Sequence, residues 1–259
     1  MRSHSEPIEE EPVIDKTVAS VEDAVAGIAD GATVMIGGFG RAGQPVELID
    51  ALIAHGARDL TIVNNNAGNG DTGLAALLAA GRVRRIVCSF PRQSDSWVFD
   101  GLYRAGEIEL ELVPQGNLAE RIRAAGAGIG AFFSPTGVGT QLAEGKEHRD
   151  IDGRTYVLEY PIRADVALIS AHRADRWGNL VYRETARNFG PIMATAATTT
   201  IVQVDEVVEL GALDPETVVT PGLFVDRVVA VGERAWLRDG VFVGGVDIEG
   251  RPLAEEAAR

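Results

Sequence analysis

Between Thr17 and Ala125 short apolar runs alternate with stretches of helical periodicity, and this alternation leaves few folds open to the chain. Ala32 to Gly37, Leu60 to Asn64, Val83 to Ser89 and Glu109 to Val113 have the length and spacing of strands. Pro45 to His55, Gly73 to Gly81, Trp97 to Ala105 and Leu118 to Ala125 follow them as helices, and Val21 to Ile28 reads as a helix ahead of the first strand. A β-α-β-α order predicts an α/β fold with an open, mostly parallel sheet and helices on both faces. Ligands of such sheets sit beyond the carboxyl ends of the strands. That rule gathers Gly37 to Gly43, Asn64 to Gly70, Ser89 to Ser96 and Pro114 to Asn117 on one rim. Further along, Val166 to Ala171, Ile201 to Val204 and Val228 to Val231 read as buried strands, and Asp150 to Arg154 as a turn between two more. Nothing between them has the composition of a linker. One domain is expected from 17 to 231, with an acidic arm at 1–16 and a C-terminal extension at 232–259.

The formal net charge is −14. It argues against nucleic acid and against an anionic membrane, because neutralising phosphates takes clustered Lys and Arg. Arg121, Arg123, Arg173 and Arg176 are the candidates for a local basic patch. No apolar run approaches the roughly 18–20 residues of a membrane span, and the N-terminus lacks the apolar core of a signal peptide. Cys88 is the single cysteine, so no intrachain disulfide can form. Placed at the end of an apolar strand, it reads as a small buried hydrophobe rather than a nucleophile. A cytoplasmic location is expected. His4, His55, His148 and His172 have no metal-ligand spacing, and no metal site is predicted.

Gly38-Phe39-Gly40-Arg41-Ala42-Gly43 stands between a strand and a helix and has the G-x-G-x-x-G form. It reads either as a loop that approaches a phosphate-bearing ligand or as a tight turn with no ligand. A dinucleotide site also needs an acid about 20 residues on, to hold the ribose. The next strand ends in Asn64-Asn65-Asn66 instead, which weakens that reading. The Gly-Lys-Ser/Thr of a P-loop is also missing.

Several motifs occur together in one order: Gly37-Gly38-Phe39-Gly40 with Gly43 and Pro45; Asn65-Asn66-Ala67-Gly68; Pro114-Gln115-Gly116 followed by Leu118-Ala119-Glu120-Arg121; Pro135-Thr136-Gly137; and Ala186-Arg187-Asn188-Phe189. In this order they resemble the alpha subunit of family I CoA-transferases. Within that family, Asn64 to Gly70 and Cys88 to Asp95 resemble the branch that acts on 3-oxoadipate. Val138 departs from it, standing where that branch usually has Tyr and looking more like acetate-type relatives.

The resemblance implies a CoA-transferase-type fold and a ping-pong transfer of CoA from succinyl-CoA to a 3-oxo acid. CoA and succinyl-CoA are then substrates, with no permanently bound cofactor. It implies that the nucleophilic glutamate lies in a separate beta subunit, within Ser-Glu-Asn-Gly, and that two alpha and two beta chains assemble. This chain contains no Glu-Asn-Gly. Carried over to these positions, Gln115 contributes to the oxyanion hole, and Gly37, Gly38, Phe39, Gly40, Arg41, Ala42 and Gly43 form a CoA-binding loop. Asn65 and Asn66 either bind the acyl group or cap the turn before Gly68. Arg92 is a candidate on chemical grounds, since a rim guanidinium can bind the second carboxylate of 3-oxoadipate, or else it is a solvated surface arginine. Two other functions stay open: an alpha subunit whose acceptor is acetoacetate, and a non-catalytic regulator that binds a nucleotide or sugar phosphate.

Overall fold

The computed structural model describes residues 14–93 and 95–232. Residues 1–13 of the expected arm at 1–16, Ser94, and 233–259 of the expected extension at 232–259 lie outside the described residues; Lys16, at the end of that arm, is bonded into the domain through Arg176 O and Val228 N. Helices α1 to α6 are Val21–Val25, Val46–His55, Leu74–Ala79, Trp97–Ala105, Gln115–Gly126 and Gly190–Ala194. Strands β1 to β4 are Thr33–Ile36, Leu60–Val63, Val83–Cys88 and Glu109–Leu112. The later strands are β5 Phe132–Ser134, β6 His148–Ile151, β7 Arg154–Glu159, β8 Ala164–Asp175, β9 Leu180–Val181, β10 Ala197–Val208 and β11 Arg227–Ala230.

The main sheet runs β11-β10-β8-β1-β2-β3-β4 and is parallel throughout, with β9 antiparallel on β8. Alternation along each strand makes both faces apolar. Val34, Ile36, Leu60, Ile62 and Ile86 meet α1 to α4 on one face; Met35, Val63, Val87, Ile169 and Val202 meet α5 and α6 on the other. The predicted two-faced α/β sheet is therefore present. From β1 the chain winds outward through β2, β3 and β4, then returns to the other side of β1 as β8. The order thus reverses between β1 and β8, where open sheets leave a crevice.

Three details depart from the sequence reading; α1, expected over Val21 to Ile28, ends at Val25. β8 and β10 are each 12 residues long, well beyond 166–171 and 201–204. Their polar ends stay in the sheet because they pair with one another: Arg173 with Glu206 at 3.0 Å and His172 with Asp205 at 2.9 Å. Helix α5 begins at Gln115 rather than Leu118, directly after Pro114. Proline presets its own φ but does not stop a helix that starts after it.

Between α5 and β8 the chain forms a separate antiparallel sheet, β5-β7-β6. Its β6–β7 hairpin closes through Asp152-Gly153, as the Asp-Gly pair leads one to expect. The candidate basic patch is neutralised at three of its four arginines. Arg121 binds Glu111 at 2.9 Å, Arg123 binds Glu120 at 2.8 Å, and Arg173 is held by Glu206. Cys88 is fully buried, and burial pushes its thiol up to about 12. No helix among the described residues is long and apolar enough to cross a membrane.

Candidate active site

The four predicted rim segments meet at the carboxyl ends of β1 to β4. Asn64 ties the first two, its Nδ2 donating to Ile36 O at 2.6 Å. Asn66 pairs with Phe90 in an isolated bridge, Gly70 N donates to Asp95 O at 2.9 Å, and Asn69 hydrogen-bonds Gln93. The loops after β2 and β3 are thus one unit. The fourth segment joins through Gln115, whose Nε2 donates to Asn65 Oδ1 at 2.8 Å.

That contact fixes both amides. Asn65 Oδ1 also accepts from Ser89 Oγ at 2.8 Å, and Asn65 itself is buried. With its oxygen taken by two donors, the Asn65 amide has one orientation. Gln115 is exposed at the first residue of α5. One N–H of its NH₂ goes to Asn65; an amide nitrogen carries two. The second is aimed by the first. Sequence reasoning misses Ser89, for which the only signal is a hydroxyl closing an apolar strand at the rim.

Asn66 is 1% exposed. Its Oδ1 accepts from Gly68 N at 2.9 Å, so it does cap the turn, but its Nδ2 is buried with no hydrogen-bond partner. A buried unpaired amide donor costs about 1–3 kcal/mol. Of the two expectations for Asn66, the turn cap is the one its oxygen fulfils; its amide nitrogen is enclosed by protein. Arg92 stands apart from this group. Its Nε donates to Asp100 Oδ1 at 2.6 Å, and its side chain is 53% exposed.

The glycine loop folds on itself. Phe39 and Ala42 exchange backbone bonds at 3.0 and 3.2 Å, leaving Gly40-Arg41 at the tip, and Gly37 N donates to Leu168 O across the β1–β8 reversal. A Cβ on Gly43 would lie 2.5 Å from Ala186 O, so the loop sits against 184–188, and Asn188 Nδ2 donates to Ala42 O at 2.9 Å. The two faces enclose an open groove of about 790 Å³ lined by Phe39, Thr185, Arg187, Ile192 and Val219.

The start of α2, where a dinucleotide phosphate would dock, is already occupied. Gln203, fully buried in β10, accepts from Leu48 N at 3.0 Å through Oε1 and hydrogen-bonds Glu47 through Nε2. The disfavoured dinucleotide reading fails on this geometry as well as on the missing ribose acid. No group of three or more His, Cys, Asp or Glu among the described residues is arranged to hold a metal ion.

Residues 18–231 match the Coenzyme A transferase family. The chain belongs to that family. Its rim of amides at the strand ends is therefore the candidate site of a CoA-transferase subunit. Over 223 residues the chain is 73% identical to the alpha subunit of the 3-oxoadipate CoA-transferase of Pseudomonas putida, covering 86% of this chain and 96% of that one. Over 215 residues it is 51% identical to the alpha subunit of the succinyl-CoA:3-ketoacid coenzyme A transferase of Xanthomonas campestris pv. campestris, covering 83% and 88%. Among solved structures, the acyl-CoA transferase of E. coli O157:H7 superposes with a TM-score of 0.76 at 24% identity, over 88% of this chain and 52% of that one. That likeness carries the fold, and the longer chain continues well beyond it.

Proposed function

We propose that this chain is the alpha subunit of a cytoplasmic succinyl-CoA:3-oxoadipate CoA-transferase whose nucleophilic glutamate is supplied by a beta subunit. The observation that carries the reading is the exposed Gln115 amide at the sheet rim, held by Asn65, whose oxygen Ser89 also binds, with one N–H left over for a substrate oxygen. Identity is 73% to the alpha chain of a 3-oxoadipate transferase but 51% to that of a 3-ketoacid transferase, which favours the six-carbon acceptor.

In this mechanism the partner's carboxylate attacks the thioester carbonyl of succinyl-CoA. The C–S bond breaks, leaving an acyl-glutamyl anhydride and the CoA thiolate. The thiolate attacks the glutamyl carbonyl and expels succinate, leaving a glutamyl-CoA thioester. The carboxylate of 3-oxoadipate then runs the same steps in reverse and leaves as the thioester. Each attack puts negative charge on a carbonyl oxygen. Gln115 donates to it without adding a cation that would quench the attacking carboxylate. Asn66 holds the turn before Gly68 beside the acyl site, the loop from Gly37 to Gly43 lies along CoA, and Arg92 exchanges Asp100 for the distal carboxylate of 3-oxoadipate.

The test mixes this chain with its beta subunit. It follows succinyl-CoA-dependent formation of 3-oxoadipyl-CoA, with acetoacetate in parallel and each chain alone as control. Activity is expected only in the mixture and mainly with 3-oxoadipate. Gln115→Ala should lower kcat about 100–1,000-fold, the usual loss for one oxyanion donor. Arg92→Ala should raise KM for 3-oxoadipate and leave acetoacetate alone; an equal rise for both removes Arg92 from the site. Preference for acetoacetate overturns the substrate, and activity from this chain alone overturns the nucleophile in trans.

A further inference from the structure

Glu159 closes β7 with its side chain 2% exposed, and the transfer chemistry gives it no part. A carboxylate this deep survives only with close compensation. Its Oε1 accepts from Lys146 Nζ at 2.6 Å and from Asn117 Nδ2 at 3.0 Å, and its Oε2 lies 3.9 Å from Arg121 Nε. Asn117 is buried two residues after Gln115, in the first turn of α5.

The first turn of α5 needs holding. Pro114 precedes it without a side-chain cap, and the apolar stripe that packs α5 on the sheet, Leu118, Ile122 and Ala125, starts only after that turn. Uncapped helix starts fray. Asn117 supplies the anchor instead. Besides Glu159, its Nδ2 reaches Thr136 O at 3.3 Å, and its Oδ1 accepts from Ser134 Oγ at 2.7 Å. The carboxylate makes this arrangement one-way. A flipped Asn117 would set its oxygen against Glu159 and its NH₂ against the Ser134 hydroxyl.

We infer that Glu159 is a positioning residue for the transfer. Through Asn117 it fixes the first turn of α5, and with it the Gln115 amide, at the rim. The inference rests on the role of Gln115 proposed above. An apolar residue of the same volume would fill the space under β7 but would give the Asn117 amide no direction.

A kinetic cycle in the complex of this chain with its beta subunit tests it. Glu159→Ala is expected to lower kcat about tenfold or more, the scale of a small misplacement near the chemistry, with KM for succinyl-CoA unchanged within about twofold. Glu159→Gln, which still offers Asn117 an acceptor, is expected to keep most of kcat. In a Gln115→Ala background Glu159→Ala should cost less than about twofold, because the group it positions is gone. A tenfold loss in both backgrounds overturns the inference while leaving Gln115 in its role. Parent kcat in Gln115→Ala takes down that role and the inference with it. Should Glu159→Ala fail to give folded complex, Asn117→Ala goes through the same two backgrounds and is judged by the same outcomes.

Discussion

Gly40 and Gly43 sit in one loop, both with left-handed backbone (φ +59° and +72°), yet they are not equivalent. Around Gly40 a Cβ meets nothing within 4 Å, whereas at Gly43 it meets the Ala186 carbonyl oxygen at 2.5 Å. Gly40→Ala therefore carries only the left-handed penalty, about 1–2 kcal/mol. Gly43→Ala carries the same penalty and must also push 184–188 away from the loop, opening the groove beside Arg187. Urea unfolding of the two variants should rank Gly43→Ala clearly lower in stability; equal losses would mean that the loop and 184–188 are not in close contact. The G-x-G-x-x-G pattern is legible as a turn at the rim. Its packing partner is not, since Ala186 is distant in sequence and a glycine shows only that something comes close.

The elements divide along the same line. Strands β1 to β4 and helices α2 to α4 are legible because apolar spacing repeats within each of them. The sequence puts Gln115 on the carboxyl rim but in a turn, because Pro-Gln-Gly carries no helical signal and the first turn of α5 is tied through Asn117 to Ser134 and Glu159 of the small sheet. Gln203 is hidden for the opposite reason. It lies inside an apolar run, Ile201 to Val204, where periodicity predicts only core. What it does there depends on α2, whose first turn offers Leu48 N–H with no partner of its own. Gln203→Ala leaves that donor unmet at a fully buried position and takes a hydrogen bond from Glu47. The expected loss is about 1–3 kcal/mol, read by denaturant unfolding of the chain. A change below about 0.5 kcal/mol, the range of surface substitutions, would show that α2 does not depend on β10 for its start.

At the scale of the whole molecule, the carboxyl edge of the sheet is both the site and a place where large aromatics stay open. Phe39 is 51% exposed and Phe90 56%. Each adjoins a site segment: Phe39 is in the glycine loop, and Phe90 follows Ser89. Exposed aromatics around a cluster of polar groups are what a protein partner covers. A beta subunit docked there would exclude water from the amides and bring its glutamate opposite Gln115. Assembly and catalysis then share one surface. Phe90→Asp should weaken the affinity for the beta subunit at least about tenfold, as loss of an interface aromatic does, by sedimentation or titration calorimetry. Ile129 makes the control, at 36% exposure. It lies past the far end of α5, where Gly126 packs on Thr195 ahead of β10, on the opposite edge of the sheet. Ile129→Asp should leave assembly unchanged. If Ile129→Asp breaks the complex and Phe90→Asp does not, the partner sits on the amino edge, and a glutamate carried by it could not reach Gln115.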